Sequence, residues 1–221
     1  MVGIFSMPYL TFIPKLYQAL KPGFIWRLPV DASKPTIYLT FDDGPIPAVT
    51  PWVLEQLEAY QAKASFFCIG DNVQKHPEVY QAVLTAGHTV GNHTFNHLRG
   101  TQHSLEDYLA NVELCAKQVA SQAFRPPYGR IQKKQARALS RAGYDIIMWD
   151  SLAADWDASR SGQQCFESVR KHAGPGSIVV FHDSLKAWPR LKQALPLCLD
   201  YYSKLGYRFE ALKLQSNSAA E

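Results

Sequence analysis

The run Thr40-Phe41-Asp42-Asp43-Gly44-Pro45 follows directly on the apolar segment Ile37-Tyr38-Leu39. The apolar segment predicts a strand that is buried on both faces, and Gly44 and Pro45 end it. Two adjacent carboxylates at the end of a buried strand repel each other and lose solvation. Such a pair persists where a cation neutralises it or where one member acts as a base. The alternative is an ordinary polar turn, since Asp-Gly-Pro is common turn chemistry.

The composition predicts one large globular domain, because 47% of the 221 residues are hydrophobic and only 19% are charged. The net charge is +4, and no block of lysine and arginine resembles a nucleic-acid footprint, so we expect no nucleic-acid partner. The cysteines form no Cys-x-x-Cys pair, which argues against a structural zinc knuckle and indicates buried thiols in a reducing compartment. They are Cys68, Cys115, Cys165 and Cys198.

The N-terminal segment, residues 1–35, is apolar and aromatic, and its charged residues before Asp31 are all basic. Pro8 and Pro14 interrupt its apolar run, and neither a cleavage site nor a membrane-spanning length is evident. We therefore expect no signal peptide, no transmembrane segment and a cytoplasmic location. The segment is predicted to pack across the bottom of the domain. The alternative is weak contact with a membrane surface, which basic and aromatic residues favour.

Strands and helices are predicted to alternate through residues 36–212, which form one domain, and residues 213–221 are predicted to be a loose tail. This alternation indicates an α/β fold with a parallel sheet and right-handed crossovers. Thr50 with Pro51, and Ser104 with Asp107, have the residue types of helix N-termini. Strands are expected at residues 37–39, 64–69, 88–91, 144–149, 177–181 and 207–212. Helices are expected at residues 50–61, 77–85, from 104 onward, 133–142, 165–172 and 188–204.

Polar residues recur just after the predicted strands. In a parallel α/β barrel the carboxyl ends of the strands share one face, and ligand sites lie on that face. We therefore expect side chains that are far apart in the sequence to converge there. They are Asp42, Asp43, His93, His97, Arg125, Asp155 and His182.

His93 and His97 are four residues apart, so both imidazoles can face one cation from a helical turn or a tight loop. A carboxylate from a neighbouring strand end would complete a metal site with positions open for water and substrate. The alternative is a pair of surface histidines. Because successive residues point in different directions, Asp43 as a ligand would leave Asp42 free to take a proton from water.

Two further charged residues suit the same chemistry. Arg125 precedes the stiff Pro126-Pro127 pair and can pair with Asp42 and keep it ionised. His182 ends an apolar strand and is placed to act as a general acid. The alternatives are a surface charge for Arg125 and a hydrogen-bonded core histidine for His182.

Five motifs occur in order along the chain: Thr-Phe-Asp-Asp-Gly-Pro at residues 40–45, His93-x-x-x-His97, Arg125-Pro-Pro-Tyr128, Asp155-Trp156 and Val-Val-Phe-His182. Together they resemble the motifs of the polysaccharide deacetylases, the NodB-homology proteins of carbohydrate esterase family 4. The resemblance covers about residues 36–212 and implies a distorted (β/α) barrel with about seven parallel strands. It also implies a hydrolase with one divalent metal ion, most often Zn²⁺. Such enzymes remove N-acetyl groups from amino sugars in chitin oligomers or peptidoglycan, or O-acetyl groups from xylan.

Matched position by position, the resemblance assigns a base, its partner and three metal ligands. It implies that Asp42 is the base and that Arg125 orients it. It implies that the ligands are Asp43, His93 and His97.

The same match assigns the residues of the acid side. His182 is implied to protonate the leaving amine, and Asp155 to orient His182. The backbone N–H of Tyr128 is implied to join the metal in stabilising the oxyanion, and Trp156 to form a wall of the substrate groove.

The chain departs from the family pattern at Leu152, where the family often has an aspartate three residues before the Asp-Trp pair. The loop can therefore run differently, and both Asp150 and Asp155 are candidates for the partner of His182. We expect Asp155 to be the partner, because it directly precedes Trp156 as in the family motif.

The leading hypothesis is a metal-dependent deacetylase whose partner is an acetylated glycan. A second hypothesis is a hydrolase of the same architecture that acts on a non-sugar amide or an acylated metabolite. A third is an inactive glycan-binding protein, and the complete set of predicted catalytic residues argues against it.

Overall fold

The computed structural model describes residues 9–31 and 33–213; the uncharged start of the chain and the predicted tail from residue 214 lie outside them. The strands are β1 (Phe24–Ile25), β2 (Thr36–Asp42), β3 (Ser65–Cys68), β4 (Thr89–Asn92), β5 (Ala123–Phe124), β6 (Asp145–Ile147), β7 (Ser151–Leu152), β8 (Ile178–His182) and β9 (Arg208–Phe209). The helices are α1 (Lys15–Ala19), α2 (Thr50–Ala59), α3 (Gly70–Lys75), α4 (Pro77–Thr85), α5 (Leu105–Ala116), α6 (Lys133–Arg141), α7 (Gly162–His172) and α8 (Trp188–Lys204).

The strands pair in parallel in the order β1-β6-β5-β4-β3-β2-β8-β7, and β9 pairs with the start of β2. The predicted parallel α/β barrel is confirmed, in the form of a half-barrel. Strands β2 to β8 are its seven strands, and β1 and β9 are two-residue additions. None of the described helices is long and apolar enough to cross a bilayer. Weak contact with a membrane surface and a cytoplasmic location stay predictions.

The central strand β2 explains where the first acid points. Its odd-numbered residues Ile37, Leu39 and Phe41 are fully buried and belong to the core under α2 and α8. Burial of each such side chain contributes roughly 1.5–3 kcal/mol. Because side chains alternate along a strand, Thr40 and Asp42 face the barrel interior instead.

The two predicted helix N-termini differ in outcome. Ser104 caps α5 as predicted, since its Oγ accepts a hydrogen bond from the N–H of Asp107 at 3.1 Å. The prediction that Thr50 caps α2 is wrong, because Val49 occupies the cap position without a side-chain bond. The Thr50 hydroxyl instead donates a hydrogen bond to Asp183 at 2.6 Å.

Most predicted elements are found, and helices α4 and α8 have the predicted bounds. The predicted strand 144–149 ends at Ile147, and the predicted strand 207–212 is reduced to β9. The elements that were not predicted are all short: α1, α3, β1, β5 and β7. The first of these differences arises because β6 and β7 follow each other in the chain but are the two edge strands of the seven-stranded half-barrel. The half-barrel is therefore open between them.

The N-terminal segment packs on the barrel along this opening. Only the part near Arg27, which bridges Ser177 at the start of β8, lies at the bottom of the domain, where the whole segment was predicted to pack. On one side β1 pairs with β6. On the other, Phe12 bridges Ser151 of β7, and the Leu152 N–H donates to the carbonyl of Thr11 at 2.9 Å. The first described residues thereby reach the carboxyl ends of the strands, where the predicted site lies.

A partly buried ion pair holds the segment against the barrel. Arg27 donates to the carboxylate of Asp150 and, at 2.6 Å, to the carbonyl of Pro175. Asp150 is fully buried and also accepts hydrogen bonds from the Ser177 hydroxyl and the Ile178 N–H, both at 3.0 Å. Asp150 therefore joins the N-terminal segment to the start of β8.

Replacing Arg27 by methionine should destabilise the protein, because it leaves the Asp150 carboxylate buried without its cationic partner. We expect the free energy of unfolding to fall by about 2 kcal/mol. This is less than the roughly 3–5 kcal/mol of a fully buried pair, because the Arg27 side chain is 26% exposed. Urea unfolding measures the change. Arg137→Met, at an exposed position of α6, is the matched control, and equal stability of the two variants would contradict the assignment.

Candidate functional site

The two acids at the end of β2 face different ways. Asp42 points into the barrel and is 4% exposed, whereas Asp43 has a φ of 82°, in the left-handed region. Asp183, just after β8, holds this turn by accepting hydrogen bonds from the Gly44 N–H at 3.0 Å and from the Thr50 hydroxyl. A Cβ at Gly44 would overlap the Asp183 carboxylate, so the turn requires glycine.

Asp43, His93 and His97 converge into one cluster, in which one ligand atom of each lies within 4.8 Å of the others. The Asp43 Oδ1 is 3.2 Å from Nε2 of His97 and 3.8 Å from Nε2 of His93. The His93 Nδ1 lies 2.8 Å from the backbone carbonyl oxygen of Arg125. Because a carbonyl only accepts, Nδ1 donates and leaves the lone pair of Nε2 facing the cluster.

The protonation states of this cluster suit a divalent cation. Burial raises the pKa of Asp43, but the neighbouring imidazoles, above all His97, outweigh burial and hold the pKa below its usual value. Burial lowers the pKa of His93 to about 4. An ionised carboxylate and a neutral imidazole are the forms that bind metals. The Asp43 Oδ1 is buried and accepts no hydrogen bond from the described residues, so a cation would also satisfy this atom.

Arg125 is fully buried and fixes the position of Asp42. Its Nη1 donates to Asp42 Oδ1 and to the Thr40 hydroxyl, each at 2.7 Å. Its remaining nitrogens donate to the carbonyls of Ile147 and Met148 at 3.3 and 3.1 Å. The second carboxylate oxygen of Asp42 accepts no hydrogen bond from the part of the chain that the structure describes, which leaves it available to a substrate or to water.

The structure brings Asp155, not Asp150, to His182. The Asp155 carboxylate accepts hydrogen bonds from Nδ1 and from the backbone N–H of His182, at 2.8 and 2.9 Å. Burial lowers the pKa of His182, but the charge and hydrogen bond of Asp155 raise it more, to about 9. The Trp156 ring stands edge-on to the imidazole, with the ring centroids 4.9 Å apart.

Tyr128 lies on the other side of the cluster, in a short 3₁₀ turn. Its ring centroid is 4.6 Å from that of His97, and the guanidinium of Arg99 lies 4.3 Å from the tyrosine ring centroid. Its φ of 60° is in the left-handed region. The use of its N–H as an oxyanion donor stays a prediction.

Backbone conformations of positive φ concentrate at this site. Several described residues other than glycine have a positive φ. All of them except Gln61 lie in the five motifs or next to one. Such conformations cost about 1–3 kcal/mol each and persist where the surrounding structure fixes them, often at functional sites. The residues are Asp43, Thr94, His97, Tyr128 and Ala154.

A cavity of about 980 Å³ contains Asp42, the cluster, Tyr128, Trp156 and His182. The N-terminal segment contributes Tyr9, Leu10 and Tyr17 to its wall, which the sequence did not indicate. The Tyr9 ring lies 5.3 Å from the Trp156 ring, and the Tyr9 hydroxyl donates a hydrogen bond to Asp157. This wall is therefore attached to the loop that carries the Asp155-Trp156 motif.

Sequence reasoning missed the roles of Asp183, Thr50 and the N-terminal segment. Asp183 carried a usable signal, because it is a second polar residue at a strand end, directly after His182. Burial raises its pKa to about 8. The contacts of the N-terminal segment join residues more than a hundred positions apart, for which no local pattern exists.

A sequence model of the polysaccharide deacetylases matches residues 30–147. A peptidoglycan-N-acetylglucosamine deacetylase of Bacillus cereus is 37% identical over 203 residues, which cover 88% of this chain and 94% of the relative. A chitooligosaccharide deacetylase of Azorhizobium caulinodans is 31% identical over 161 residues, which cover 70% of this chain and 76% of the relative.

Solved structures of similar proteins have the same fold. The peptidoglycan deacetylase PdaC from Bacillus subtilis superposes with a TM-score of 0.73 and 30% identity, over 83% of this chain and 90% of that chain. A peptidoglycan N-acetylglucosamine deacetylase crystallised with an N-oxidanyl-benzamide gives a TM-score of 0.78 and 25% identity, over 91% and 95% of the two chains. The family match over more than half of the sequence, and the 37% identity over most of it, show that the chain belongs to the polysaccharide deacetylase family.

Proposed function

We propose that the protein is a metal-dependent hydrolase that removes acetyl groups from an acetylated carbohydrate, with an N-acetyl amide as the preferred bond. The observation that carries this proposal is the cluster of Asp43, His93 and His97 in one cavity with the paired residues Asp42 and His182. The relatives named as deacetylases of peptidoglycan and of chitooligosaccharides support the reaction class.

The donor set fits one divalent ion, and we propose Zn²⁺. One carboxylate and two imidazoles are typical of catalytic zinc, which keeps a further position for water or substrate. A cation held there would polarise the acetyl carbonyl and lower the pKa of the attacking water.

The protein residues then supply the proton transfers. Asp42, held through Oδ1 by Arg125, offers its free oxygen to accept the proton of the attacking water. The N–H of Tyr128 is the candidate donor to the oxyanion that forms on the acetyl carbon. His182 gives a proton to the sugar nitrogen as the carbon–nitrogen bond breaks, because an unprotonated amine is a poor leaving group.

The state of His182 agrees with the role of an acid. With its pKa raised to about 9, the imidazole is protonated at neutral pH. Asp155 is proposed to set both this pKa and the orientation of the ring, since it holds Nδ1 and leaves Nε2 as the atom that donates.

The fold alone does not decide activity, since one structural neighbour, 22% identical with a TM-score of 0.74, is described as a pseudoenzyme of the same family. What separates an active deacetylase from an inactive glycan-binding protein here is the complete set of paired catalytic residues. Hydrolysis of a non-sugar amide remains the second candidate function, because the reacting groups would be the same.

Removing the metal should abolish acetate release, and adding Zn²⁺ should restore it with one ion bound per chain. The test measures acetate from N-acetylated chitooligosaccharides, acetylated xylan and an acetylated amino acid, beside elemental analysis. His93→Ala should lose both metal and activity. His103→Ala, which changes an imidazole outside the cluster, should retain both. Full activity of the metal-free protein would refute the proposal.

Replacing Asp155 by asparagine should move the basic limb of the pH–rate profile to lower pH and slow turnover. The reason is that loss of the carboxylate removes the interaction that raises the pKa of His182, so the imidazole loses its proton at lower pH. Metal content should stay unchanged. Asp150→Asn is the comparison, and it should leave the limb in place because Asp150 contacts Arg27 rather than His182. A limb that moves with Asp150→Asn and not with Asp155→Asn would contradict the assignment.

A further inference from the structure

Besides the histidines, three basic side chains line the cavity: Arg99, Arg130 and Lys186, here called the rim cations. The acidic residues in the lining are Asp42 and Asp43. Both are already engaged, the first by Arg125 and the second by the imidazoles of the proposed metal site. The rim cations therefore leave a positive charge that no acid of the cavity neutralises.

Other arginines around the site differ from the rim cations in this respect. Arg125 donates to four oxygens, and Arg190 donates to the backbone carbonyl of Asp155 at 2.8 Å. Within residues 9–31 and 33–213, no rim cation donates a side-chain hydrogen bond to the protein, and none lies within 4.0 Å of a carboxylate. Their donors are available to a ligand.

The rim cations line the same cavity as the reacting groups and lie in loops that carry predicted site residues. The guanidinium of Arg99 packs over the Tyr128 ring, 4.3 Å from its centroid, and donates no side-chain hydrogen bond to the described residues. Arg130 follows two residues after Tyr128 and is exposed. Lys186 follows four residues after His182 and is also exposed. Arg99 follows two residues after His97, so the rim cations belong to the three loops that carry a proposed metal ligand, the proposed oxyanion donor and the proposed acid.

The chemistry of such groups selects anions. A guanidinium pairs with a carboxylate or phosphate through two parallel hydrogen bonds, and an ammonium adds a point charge. A neutral oligomer of N-acetylglucosamine offers only hydroxyl and amide groups and would leave these interactions unused. Resting on the proposed function, we propose that the cavity selects acetylated sugars that carry a carboxylate or phosphate, on the reacting sugar or on its neighbour.

Matched substrates test this selection. The carboxylate probe is the disaccharide of N-acetylglucosamine and N-acetylmuramic acid, and its methyl ester is the neutral counterpart of the same shape. The phosphate probe is chitobiose 1-phosphate, compared with chitobiose. We expect kcat/KM for at least one anionic probe to exceed that of its neutral counterpart by about tenfold. This ratio should fall as salt rises from about 0.05 M to about 0.5 M. Which pair shows the preference identifies the anion.

Variants locate the source of the preference. Arg130→Gln and Lys186→Gln should each lower the anionic-to-neutral ratio towards one, chiefly through KM. Arg137→Gln, which removes an exposed cation of α6 outside the cavity, is the matched control and should keep the ratio. Ratios of one for both pairs in the unmodified protein, or equal ratios in all three variants, would overturn the inference.

Calorimetric titration separates this inference from the proposed function. Each probe is titrated into the metal-loaded protein, so that the anionic preference is measured as a ratio of dissociation constants even where no acetate is released. Preferential binding without acetate release would support the inference and refute the proposed deacetylase. Acetate release without any anionic preference would support the proposed deacetylase and overturn the inference.

Discussion

The buried contact between Arg125 and Asp42 is the interaction on which the rest of the site depends. The guanidinium has no exposure to solvent, and Asp42 supplies the opposite charge at 2.7 Å. Breaking a buried pair of this kind typically costs about 3–5 kcal/mol. The same guanidinium bonds the carbonyls of Ile147 and Met148, where the chain leaves β6 for the other edge of the half-barrel. Arg125 therefore completes the fold and positions the proposed base.

The backbone of Arg125 also positions part of the cluster of Asp43, His93 and His97. Its carbonyl oxygen fixes the ring of His93, so one residue orients both the base and a proposed metal ligand. Asp43 can join the cluster while Asp42 stays with Arg125 because the chain turns at φ 82° between β2 and Gly44. Asp183 holds that turn from β8, next to His182. The proposed base, the proposed ligand and the proposed acid are thereby coupled through neighbouring strand ends.

The sequence allowed prediction of those features that have local patterns. Buried strands, helix N-termini such as Ser104 and the order of the motifs predicted the parallel barrel and the residues that meet at its carboxyl face. Long-range geometry was not predictable. Threonine is a common helix N-cap residue, but the Thr50 hydroxyl donates a hydrogen bond to Asp183 instead. The strand expected through Trp149 ends at Ile147 because the half-barrel is open there. The path of the N-terminal segment was not predictable for the same reason, since the opening along which it lies exists only in the folded chain.

The central claim is that two adjacent acids have separate roles, and metal content measured together with turnover in single variants tests it most directly. Asp42→Asn should keep one metal ion per chain and lose about 10²–10⁴-fold in turnover, because an amide cannot accept the proton. Asp43→Asn should lose the ion. Thermal unfolding of each variant confirms that it is folded. Loss of the metal in Asp42→Asn with retention in Asp43→Asn would show that the two roles are reversed and would contradict the account.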